Sequence, residues 1–532
     1  MSVEVDLRRG IPAVDLVGLA DGAVKESRER MKSAIRNSGF EFPPDRVLIS
    51  LSPADLKKEG AGFDLPIALA VLEKKLQQEN EECNEENSMS ENSCDRNLCD
   101  GNFCGEKKDL PWSGDDAVMV LGELELNGKV RPVRGVHAAT STAYDCGIRL
   151  CIVPKGNLEE ALEVKGMKVF GADTLEEAFT ALQKKEFFIS SNAANENKFL
   201  PPDAVEINGV YFPALDSDED FADVKNQGRL VRALQIAAAG KHNLLAYGPP
   251  GCGKTLALQK FPSLLPLLTV EEAQSVTRIY SIAGLLTKRN LLLRKAPFRQ
   301  PHQTCTIEGM CGGGPHCIPG EISLSHNGVL FLDEAAEFRT SVLQMLRVPL
   351  ESKKITLSRA GRSTVYPADF QLLMATNPCP CGNFASKEKI CLCSGKAIDQ
   401  YWQKFSAPLL DRIDFRIHVE LGAKDKEGGT PLSSAELRKG IALATKIQWQ
   451  RQGKKNSHLS PSEIKNFCPL SQEAKEILNK KSEKYSFSPR SIAGCIKVAR
   501  TISDMKEEKI ISKESIDEAI EFRHVEEDFI ML

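Results

Sequence analysis

Residues Gly248 to Thr255, with the sequence GPPGCGKT, have the composition of a loop that binds phosphate groups. They match the spacing G-x-x-x-x-G-K-[ST], follow the apolar run 243–247 and precede a helical pattern. In such a loop the backbone N–H groups surround the phosphates, a lysine contacts the β- and γ-phosphates, and a hydroxyl binds Mg²⁺. The sequence therefore predicts that ATP and Mg²⁺ are bound by Gly248, Pro249, Pro250, Gly251, Cys252, Gly253, Lys254 and Thr255.

Two acidic residues follow a second apolar run. Residues Val329–Leu332 have the composition of a buried strand, and Asp333 and Glu334 come directly after it. At the end of such a strand Asp333 could hold Mg²⁺, and Glu334 could act as the general base on the attacking water. A core strand that merely ends in two exposed acids is the alternative, but the phosphate loop makes it the weaker interpretation.

Two further polar residues could complete this site. Asn377 follows a third predicted strand, 370–375, where an amide could orient the same water. Arg412 lies in the segment 409–414 and could reach the γ-phosphate of a neighbouring subunit as an arginine finger. The alternative for Arg412 is a surface ion pair, which is the usual state of an arginine near a helix end.

Four cysteines come directly after Asn377, as two C-x-C pairs: Cys379, Cys381, Cys391 and Cys393. Four thiolates suit tetrahedral Zn²⁺, although C-x₂-C is the more usual spacing. The alternative is a reduced loop of small residues. The hypothesis is a structural zinc site whose loss would loosen this loop and, with it, Asn377.

A cluster of cations surrounds a predicted strand–turn–strand segment. Lys353, Lys354, Arg359 and Arg362 flank the strands 354–356 and 364–366. Such a hairpin could follow a nucleic-acid backbone without reading its sequence. An exposed hairpin kept soluble by its charges is an equal alternative from the residues alone.

Composition sets limits on the class of protein. The net charge of −4 divides into −9 over residues 78–116 and +5 elsewhere, so nucleic-acid binding is neither excluded nor favoured. No apolar run approaches the roughly 18–20 residues that span a bilayer, and the N-terminus lacks a signal-peptide core. We expect a soluble cytoplasmic protein whose 16 cysteines are free thiols or metal ligands.

The patterns predict an α/β fold in several parts. Residues 1–186 are predicted to form an N-terminal α/β domain, interrupted at 77–116 by a disordered acidic insertion that is poor in aliphatic residues. Residues 187–204 are predicted to be a linker. Residues 205–420 alternate between strand and helix patterns, and residues 421–532 are nearly all helical in pattern.

These motifs, in this order, are similar to AAA ATPases of the magnesium-chelatase and MCM-helicase branch. Several longer segments resemble the ComM-type (YifB) subfamily of magnesium-chelatase-like AAA+ ATPases. They are 3–44, 55–69, 121–136, 294–337, 375–382, 408–414 and 487–505. The resemblance covers nearly the whole chain except 77–116 and the linker. Chains of this subfamily usually begin about one strand earlier, so the N-terminal domain is expected to be incomplete or its start mis-assigned.

The resemblance implies an N-terminal domain of the Lon-protease/ribosomal-S5 type, a P-loop AAA+ core and a C-terminal helical lid. It also implies a homo-hexameric ring that acts on branched DNA, as a helicase-like motor of branch migration in homologous recombination and natural transformation. By motif position it assigns Asn377 as sensor 1, Arg412 as the trans finger and Arg490 as sensor 2.

Proteolysis is not expected, although Lon-type domains include proteases. Such a protease needs a serine with a lysine partner, and in the most similar segment, 58–64, Gly62 stands where the serine is required. Nothing in the spacing around Ser52 marks it as activated. We therefore predict that this domain is structural or binds a partner.

Two other functions compete with a DNA motor. A magnesium-chelatase-type motor, which drives metal insertion into a porphyrin by a partner subunit, would use the same nucleotide motifs. The N-terminal domain and the C-x-C pairs favour the DNA motor, since the chelatase motor resembles only the ATPase part. A non-enzymatic scaffold is disfavoured by the intact Lys254, Asp333, Glu334 and Arg412.

Overall fold

The computed structural model describes residues 2–18, 22–52, 61–90, 117–184, 188–190, 200–286, 292–314, 317–359, 362–384, 389–420 and 432–524. The chain divides into two compact units. The first comprises residues 1–198 and 280–292, and the second comprises residues 199–279 and 293–532. Among the described residues, every helix is too short or too polar to cross a membrane.

The first unit is an α/β structure that contains both strands and helices. Its elements are β1 (Ser2–Arg8), β2 (Val14–Val17), α1 (Gly22–Asn37), β3 (Arg46–Ser52), α2 (Asp64–Ser90), β4 (Val118–Val120), β5 (Glu123–Leu124), β6 (Val130–Arg131), α3 (Val136–Asp145), β7 (Leu150–Pro154), α4 (Leu158–Leu162), β8 (Lys168–Ala172), α5 (Leu175–Lys184) and β9 (Ile189–Ser190). Strand β3 lies between β1 and β2, antiparallel to β1 and parallel to β2, and a second sheet has the order β4-β7-β8-β9. The apolar faces of α1, α2 and β3 form the main core of this unit.

Two predictions for this unit are wrong in part. Helix α2 continues to Ser90, so the acidic segment does not interrupt the fold at residue 77. Glu and Gln, which are frequent in this stretch, are good helix formers, and extending an existing helix avoids the cost of nucleation. The predicted linker 187–204 also begins with structure, because β9 pairs antiparallel with β8. Residues 91–116 and 191–199 lie outside the described part.

The second unit contains a parallel sheet, a hairpin and a C-terminal helical part. Its elements are β10 (Val205–Ile207), β11 (Val210–Phe212), α6 (Gly228–Gly240), β12 (Leu244–Tyr247), α7 (Lys254–Gln259), α8 (Val270–Ala283), β13 (Phe298–Arg299), α9 (Ile307–Cys311), β14 (Gly312–Gly313), β15 (Ile318–Pro319), α10 (Glu321–Leu324), β16 (Val329–Leu332), α11 (Thr340–Met345), α12 (Pro349–Ser352), β17 (Lys354–Arg359), β18 (Arg362–Pro367), β19 (Gln371–Thr376), α13 (Gly395–Gln403), α14 (Ala407–Leu410), β20 (Phe415–His418), α15 (Ser434–Gln452), α16 (Pro461–Phe467), α17 (Gln472–Lys484), α18 (Pro489–Met505) and α19 (Lys513–Arg523). The division between the two units falls within α8.

The central sheet of this unit has the strand order β13-β16-β19-β12-β20, and each neighbouring pair is parallel. Every residue of β12, β16 and β19 is buried, as expected for strands covered by helices on both faces. Because the strands are parallel, the segments that follow β12, β16 and β19 all leave the sheet at one edge. That edge carries the phosphate loop, the two acids and Asn377.

The C-terminal helices belong to the same compact unit as the sheet. Serines begin all five of the described helices: Ser433 and Ser460 form capping boxes with Glu436 and Glu463, and Ser471, Ser488 and Ser512 accept hydrogen bonds from the first turn of α17, α18 and α19. Helices α15 and α18 contribute buried apolar residues to the core that also contains β12 and β20. The sheet and the C-terminal helices therefore share one core.

Candidate functional site

The phosphate loop leaves the sheet between two neighbouring strands. Gly248 donates its N–H to the carbonyl oxygen of Thr376 at 3.3 Å, which ties the start of the loop to the end of β19. A Cβ on Gly248 would lie 2.1 Å from the Val419 carbonyl oxygen, so a side chain does not fit there. Gly251 and Gly253 have φ values of 80° and 86°, a conformation that glycine adopts without strain. These glycines give the loop its curved backbone.

Lys254 begins α7 and is buried inside this loop. Its ammonium group donates to the carbonyl oxygens of Gly248 at 2.7 Å and Pro249 at 2.8 Å. Burial lowers the pKa of this lysine. The side chain thus lies under the loop, where a bound triphosphate would give it a charged partner in place of two neutral carbonyls.

The two acids and Thr255 meet at the same edge. The hydroxyl of Thr255 donates to Asp333 Oδ1 at 3.1 Å, and the backbone N–H of Glu334 donates to the same oxygen at 3.0 Å. Glu334 has a φ of 47°, in the left-handed region that is costly for a non-glycine residue. A hydroxyl and a carboxylate side by side are suitable oxygen ligands for Mg²⁺.

A cavity of about 370 Å³ connects these groups. Its walls are formed by the phosphate loop and the start of α7, by Asp333 and Glu334, and by residues 375–377 including Asn377. The structure therefore brings together the predicted lysine, hydroxyl, two acids and amide around one opening. The three segments at the ends of β12, β16 and β19 position them, as the parallel sheet requires.

Two predicted site residues lie away from this cavity. Neither Arg412 nor Arg490 is among the residues that line it. Both instead bind Glu351 in α12: Arg412 donates to Oε2 at 2.5 Å and Arg490 to Oε1 at 3.2 Å. The two guanidinium groups lower the pKa of this carboxyl group. Both arginines thus converge on a single carboxylate.

Asp411 fixes the two arginine-bearing segments to each other. Its Oδ1 accepts hydrogen bonds from the hydroxyls of Ser488 and Ser491 at 2.9 and 2.8 Å, at the start of α18. Arg523 of α19 donates to the Asp411 backbone carbonyl at 2.9 Å. Because Arg412 follows Asp411 and Arg490 lies between the two serines, these contacts hold both arginines on one surface.

The four cysteines of the C-x-C pairs lie together. All four sulfur atoms are within 4.8 Å of one another. The Sγ–Sγ distances are 3.4 Å for Cys379 and Cys381, 3.7 Å for Cys379 and Cys391, and 3.6 Å for Cys381 and Cys391. Residues 385–388, between the pairs, lie outside the described part.

The predicted cationic hairpin is formed by β17 and β18, which are longer than the sequence pattern indicated. In their antiparallel register Arg359 is opposite Arg362 at the end of the ladder, and Lys354 is opposite Pro367. Lys353 lies just before β17 in a left-handed conformation and contacts Asp369 at 3.6 Å. The hairpin therefore carries two arginines in the last pair of its ladder and is anchored at its base.

In the first unit, Gly62 lies in the 3₁₀ turn Ala61–Phe63 and offers no nucleophile. Ser52 is the last residue of β3. Residues 53–60 lie outside the described part, including the start of the segment that most resembles a protease loop.

Sequence reasoning missed two groups that the structure places next to the predicted residues. Glu351 is one, because it is 61 and 139 residues from the arginines that it contacts. Gly382 is the other: a Cβ on it would lie 2.7 Å from Pro250 Cδ, so the turn after Cys381 packs on the phosphate loop. No spacing in the sequence signals either contact, although Gly382 could have been marked as a turn glycine.

A parallel sheet that ends in a phosphate loop, two acids and an asparagine, with helices following it, defines an AAA+ domain. Family models agree with this class. Residues 220–427 match the model "Magnesium chelatase, subunit ChlI", residues 431–523 match its C-terminal model, and residues 3–98 match "Subunit ChlI of Mg-chelatase".

Proteins that match this chain over nearly their whole length identify its family within the AAA+ class. The chain is 36% identical to the protein YifB of Escherichia coli (strain K12) over 535 residues, which cover 100% of this chain and 96% of that protein. It is 35% identical to the competence protein ComM of Haemophilus influenzae over 527 residues, or 98% of this chain and 94% of that protein. An archaeal Lon protease of Methanocaldococcus jannaschii is 29% identical over 194 residues, 36% of this chain and 26% of that protein. The chain belongs to the ComM/YifB type of magnesium-chelatase-like AAA+ proteins, a family of nucleoside triphosphatases that bind ATP with Mg²⁺.

Proposed function

We propose that this protein is an ATP-driven ring motor that acts on single-stranded or branched DNA. The observation that carries the ATPase part is the single cavity shared by Lys254, Thr255, Asp333, Glu334 and Asn377. In this proposal Lys254 binds the β- and γ-phosphates and Thr255 and Asp333 hold Mg²⁺. Glu334 then accepts a proton from the attacking water, which Asn377 orients.

Arg412 and Arg490 are proposed to complete the site of the neighbouring subunit. Neither arginine lines the nucleotide cavity of its own chain. If they contact a γ-phosphate, it must therefore be one that is bound in the cavity of another subunit. A closed ring of identical subunits, proposed to be a hexamer, supplies one such cavity per arginine pair. Mixing two inactive variants tests the arrangement.

In that experiment, Arg412→Ala keeps its own phosphate loop, and Lys254→Ala keeps its own arginines. Random mixing in a ring would place an intact loop next to an intact arginine at about one interface in four. We expect each variant alone to be inactive and the mixture to recover a comparable fraction of ATPase activity. Loss of all activity in the mixture, with rings assembled, would show that Arg412 does not act across the interface.

The proposed DNA contact is the hairpin β17–β18. Its register pairs Arg359 with Arg362, so two cationic residue types share the last pair of the ladder. Cations in this arrangement bind phosphates with a strong dependence on salt and without sequence readout. The relative named as a competence protein, matched over 94% of its length, supports DNA as the substrate, and hence action in the cytoplasm.

The test is the double variant Arg359→Ala/Arg362→Ala, compared with Lys475→Ala/Lys480→Ala in α17, which removes the same charge from exposed positions elsewhere. We expect the hairpin variant to keep basal ATPase activity but to bind branched DNA more weakly and with a smaller salt dependence. The control should behave as wild type. Equal DNA binding by both variants would remove the hairpin from the proposal.

A chelatase motor remains the second candidate, because the matching family models carry the chelatase name. Branched DNA and a chelatase partner complex can be compared as activators of the ATPase. Stimulation by DNA supports the first function. Stimulation by the chelatase complex alone supports the second.

We also propose that the four cysteines bind one structural Zn²⁺. Bonds of about 2.3 Å from zinc to four sulfurs in a tetrahedron require sulfur separations of about 3.8 Å. The separations among Cys379, Cys381 and Cys391, at 3.4, 3.6 and 3.7 Å, are close to that value, and all four sulfurs lie within 4.8 Å of one another. Elemental analysis of the purified protein should give one zinc per chain, and its absence would refute this part.

A further inference from the structure

The second C-x-C pair lies in a segment that apolar packing does not hold. Ile390 is 83% exposed and Leu392 is 89% exposed, although both are large aliphatic residues next to Cys391. Two such exposed side chains would normally pack inward if the segment folded by the hydrophobic effect. We therefore infer that the cysteine sulfurs, and not buried aliphatic side chains, hold this segment in place.

The first C-x-C pair lies in a segment that packs against the phosphate loop. Cys379 is fully buried, and its sulfur accepts the N–H of Phe384 at 3.3 Å. Gly382, with a φ of 78°, donates its N–H to the Cys379 carbonyl oxygen at 2.9 Å, which closes a tight turn. Its α-carbon faces Pro250, since a Cβ there would lie 2.7 Å from Pro250 Cδ and 3.2 Å from Cγ. The turn thus supports one side of the phosphate loop.

Helix α13 supports the same region from the other direction. Trp402 donates its indole N–H to the Pro378 carbonyl oxygen at 3.0 Å. Its ring also makes an edge-to-face contact with the ring of Tyr247, with centroids 5.6 Å apart. Tyr247 is the last residue before the phosphate loop. The Tyr401 hydroxyl lies 3.0 Å from the hydroxyl of Thr376, at the end of β19. Residues 378–393, the cysteine loop, therefore begin between the phosphate loop and α13.

From this arrangement we propose that the zinc-bound cysteine loop is a brace for the phosphate loop, so that zinc occupancy sets the affinity for ATP. The proposal rests on the zinc site inferred above. When the four sulfurs are joined through one ion, the turn at Gly382 is held against Pro250. Without that link the exposed side chains of Ile390 and Leu392 do not hold the second pair in place by burial, and the turn can move away from Pro250.

Loss of the brace is expected to weaken nucleotide binding more than it slows the chemical step. The apparent Kd of a loop that is in its binding conformation for only a fraction of the time rises by the inverse of that fraction. If loss of the brace leaves the phosphate loop competent for about a tenth to a third of the time, the Kd for ATP rises about three- to tenfold. Asn377, two residues before Cys379, would move with the loop, so a smaller loss of kcat is also expected.

The experiment measures binding of a non-hydrolysable ATP analogue with Mg²⁺, and zinc content, for the full-length chain. The double variant Cys391→Ser/Cys393→Ser removes two ligands but leaves Gly382 in place. Gly382→Ala instead disturbs the contact with Pro250 and keeps all four cysteines. Cys146→Ser, at an exposed free cysteine of the first unit, is the matched control. Zinc removal from wild type with a chelator, followed by zinc re-addition, gives the same comparison without any substitution.

We expect the double variant and the chelated protein to lose zinc and to bind the analogue at least threefold more weakly. Zinc re-addition should restore wild-type affinity to the chelated protein. Gly382→Ala should keep its zinc and bind more weakly, and the control should be unchanged in both. Wild-type protein without zinc would refute the zinc site itself. Protein that contains zinc and loses it with no change in nucleotide affinity would refute the brace alone.

Discussion

Replacing Glu351 with glutamine should make the proposed ring assemble and hydrolyse ATP at lower protein concentration. In the single chain this carboxylate binds Arg412 and Arg490, the two arginines proposed to act on the neighbour's γ-phosphate. They must leave Glu351 before they can bind a phosphate. Glutamine has nearly the same shape but no charge, so the variant should release them at lower cost.

The size of the shift in protein concentration follows from the solvent exposure of the two ion pairs of Glu351. The Glu351 side chain, which both ion pairs share, is 58% exposed and Arg490 is 41% exposed, so solvent screens both pairs even though Arg412 is only 13% exposed. Exposed pairs of this kind contribute about 0.2–1 kcal/mol each, and two of them about 0.4–2 kcal/mol. The protein concentration that gives half-maximal ATPase activity should therefore fall about 2- to 30-fold.

The assay is steady-state ATP turnover over a range of protein concentrations, with ring assembly followed by light scattering. Glu473→Gln, an exposed glutamate in the first turn of α17, is the charge-matched control. An unchanged or higher midpoint for Glu351→Gln would refute the reasoning. A lower maximal rate would instead indicate that Glu351 positions the arginines in the working ring.

Two further predictions concern stability. Asp504 is fully buried and accepts hydrogen bonds from Arg451, Asn456 and Arg500, so Asp504→Ala should lower the free energy of unfolding by about 3–5 kcal/mol, measured by urea denaturation. A loss below about 1 kcal/mol would contradict this prediction. Burial lowers the pKa of His326 to about 4, and its Nδ1 accepts the N–H of Asp369 at 3.1 Å. Because the unfolded chain takes up this proton first, stability should decrease by up to about 1.4 kcal/mol per pH unit as the pH falls from about 6.5 to about 4. His326→Gln should reduce that slope but not remove it, because burial also lowers the pKa of His458 to about 4, and an equal slope in both proteins would contradict the prediction.

The elements around the nucleotide site could be predicted from the sequence because each has a local signal. Strand β16 was expected at its observed bounds from four consecutive apolar residues, and the two acids follow it directly. The glycines and Lys254 of the phosphate loop have a fixed spacing. A parallel sheet then brings the ends of neighbouring strands to one edge, so the local signals are sufficient to predict the cavity.

Contacts between distant segments could not be predicted in the same way. Glu351 meets Arg412 and Arg490 only because α12, α14 and α18 pack in one unit, and periodicity contains no such information. The acidic segment from residue 77 was expected to be disordered because it lacks aliphatic residues. Helix α2 nevertheless continues to Ser90, since helix propagation depends on backbone hydrogen bonds and propensity rather than on a buried face.

Hydrolysis of Mg-ATP by the purified full-length chain tests the central claim most directly. Turnover should require Mg²⁺ and should fall at least a hundredfold in Glu334→Gln, since general-base catalysis contributes about 10²–10⁴-fold. That variant should still bind ATP, whereas Lys254→Ala should bind it poorly. Wild-type protein that forms rings yet neither binds nor hydrolyses Mg-ATP would contradict the account of this site and the motor function built on it.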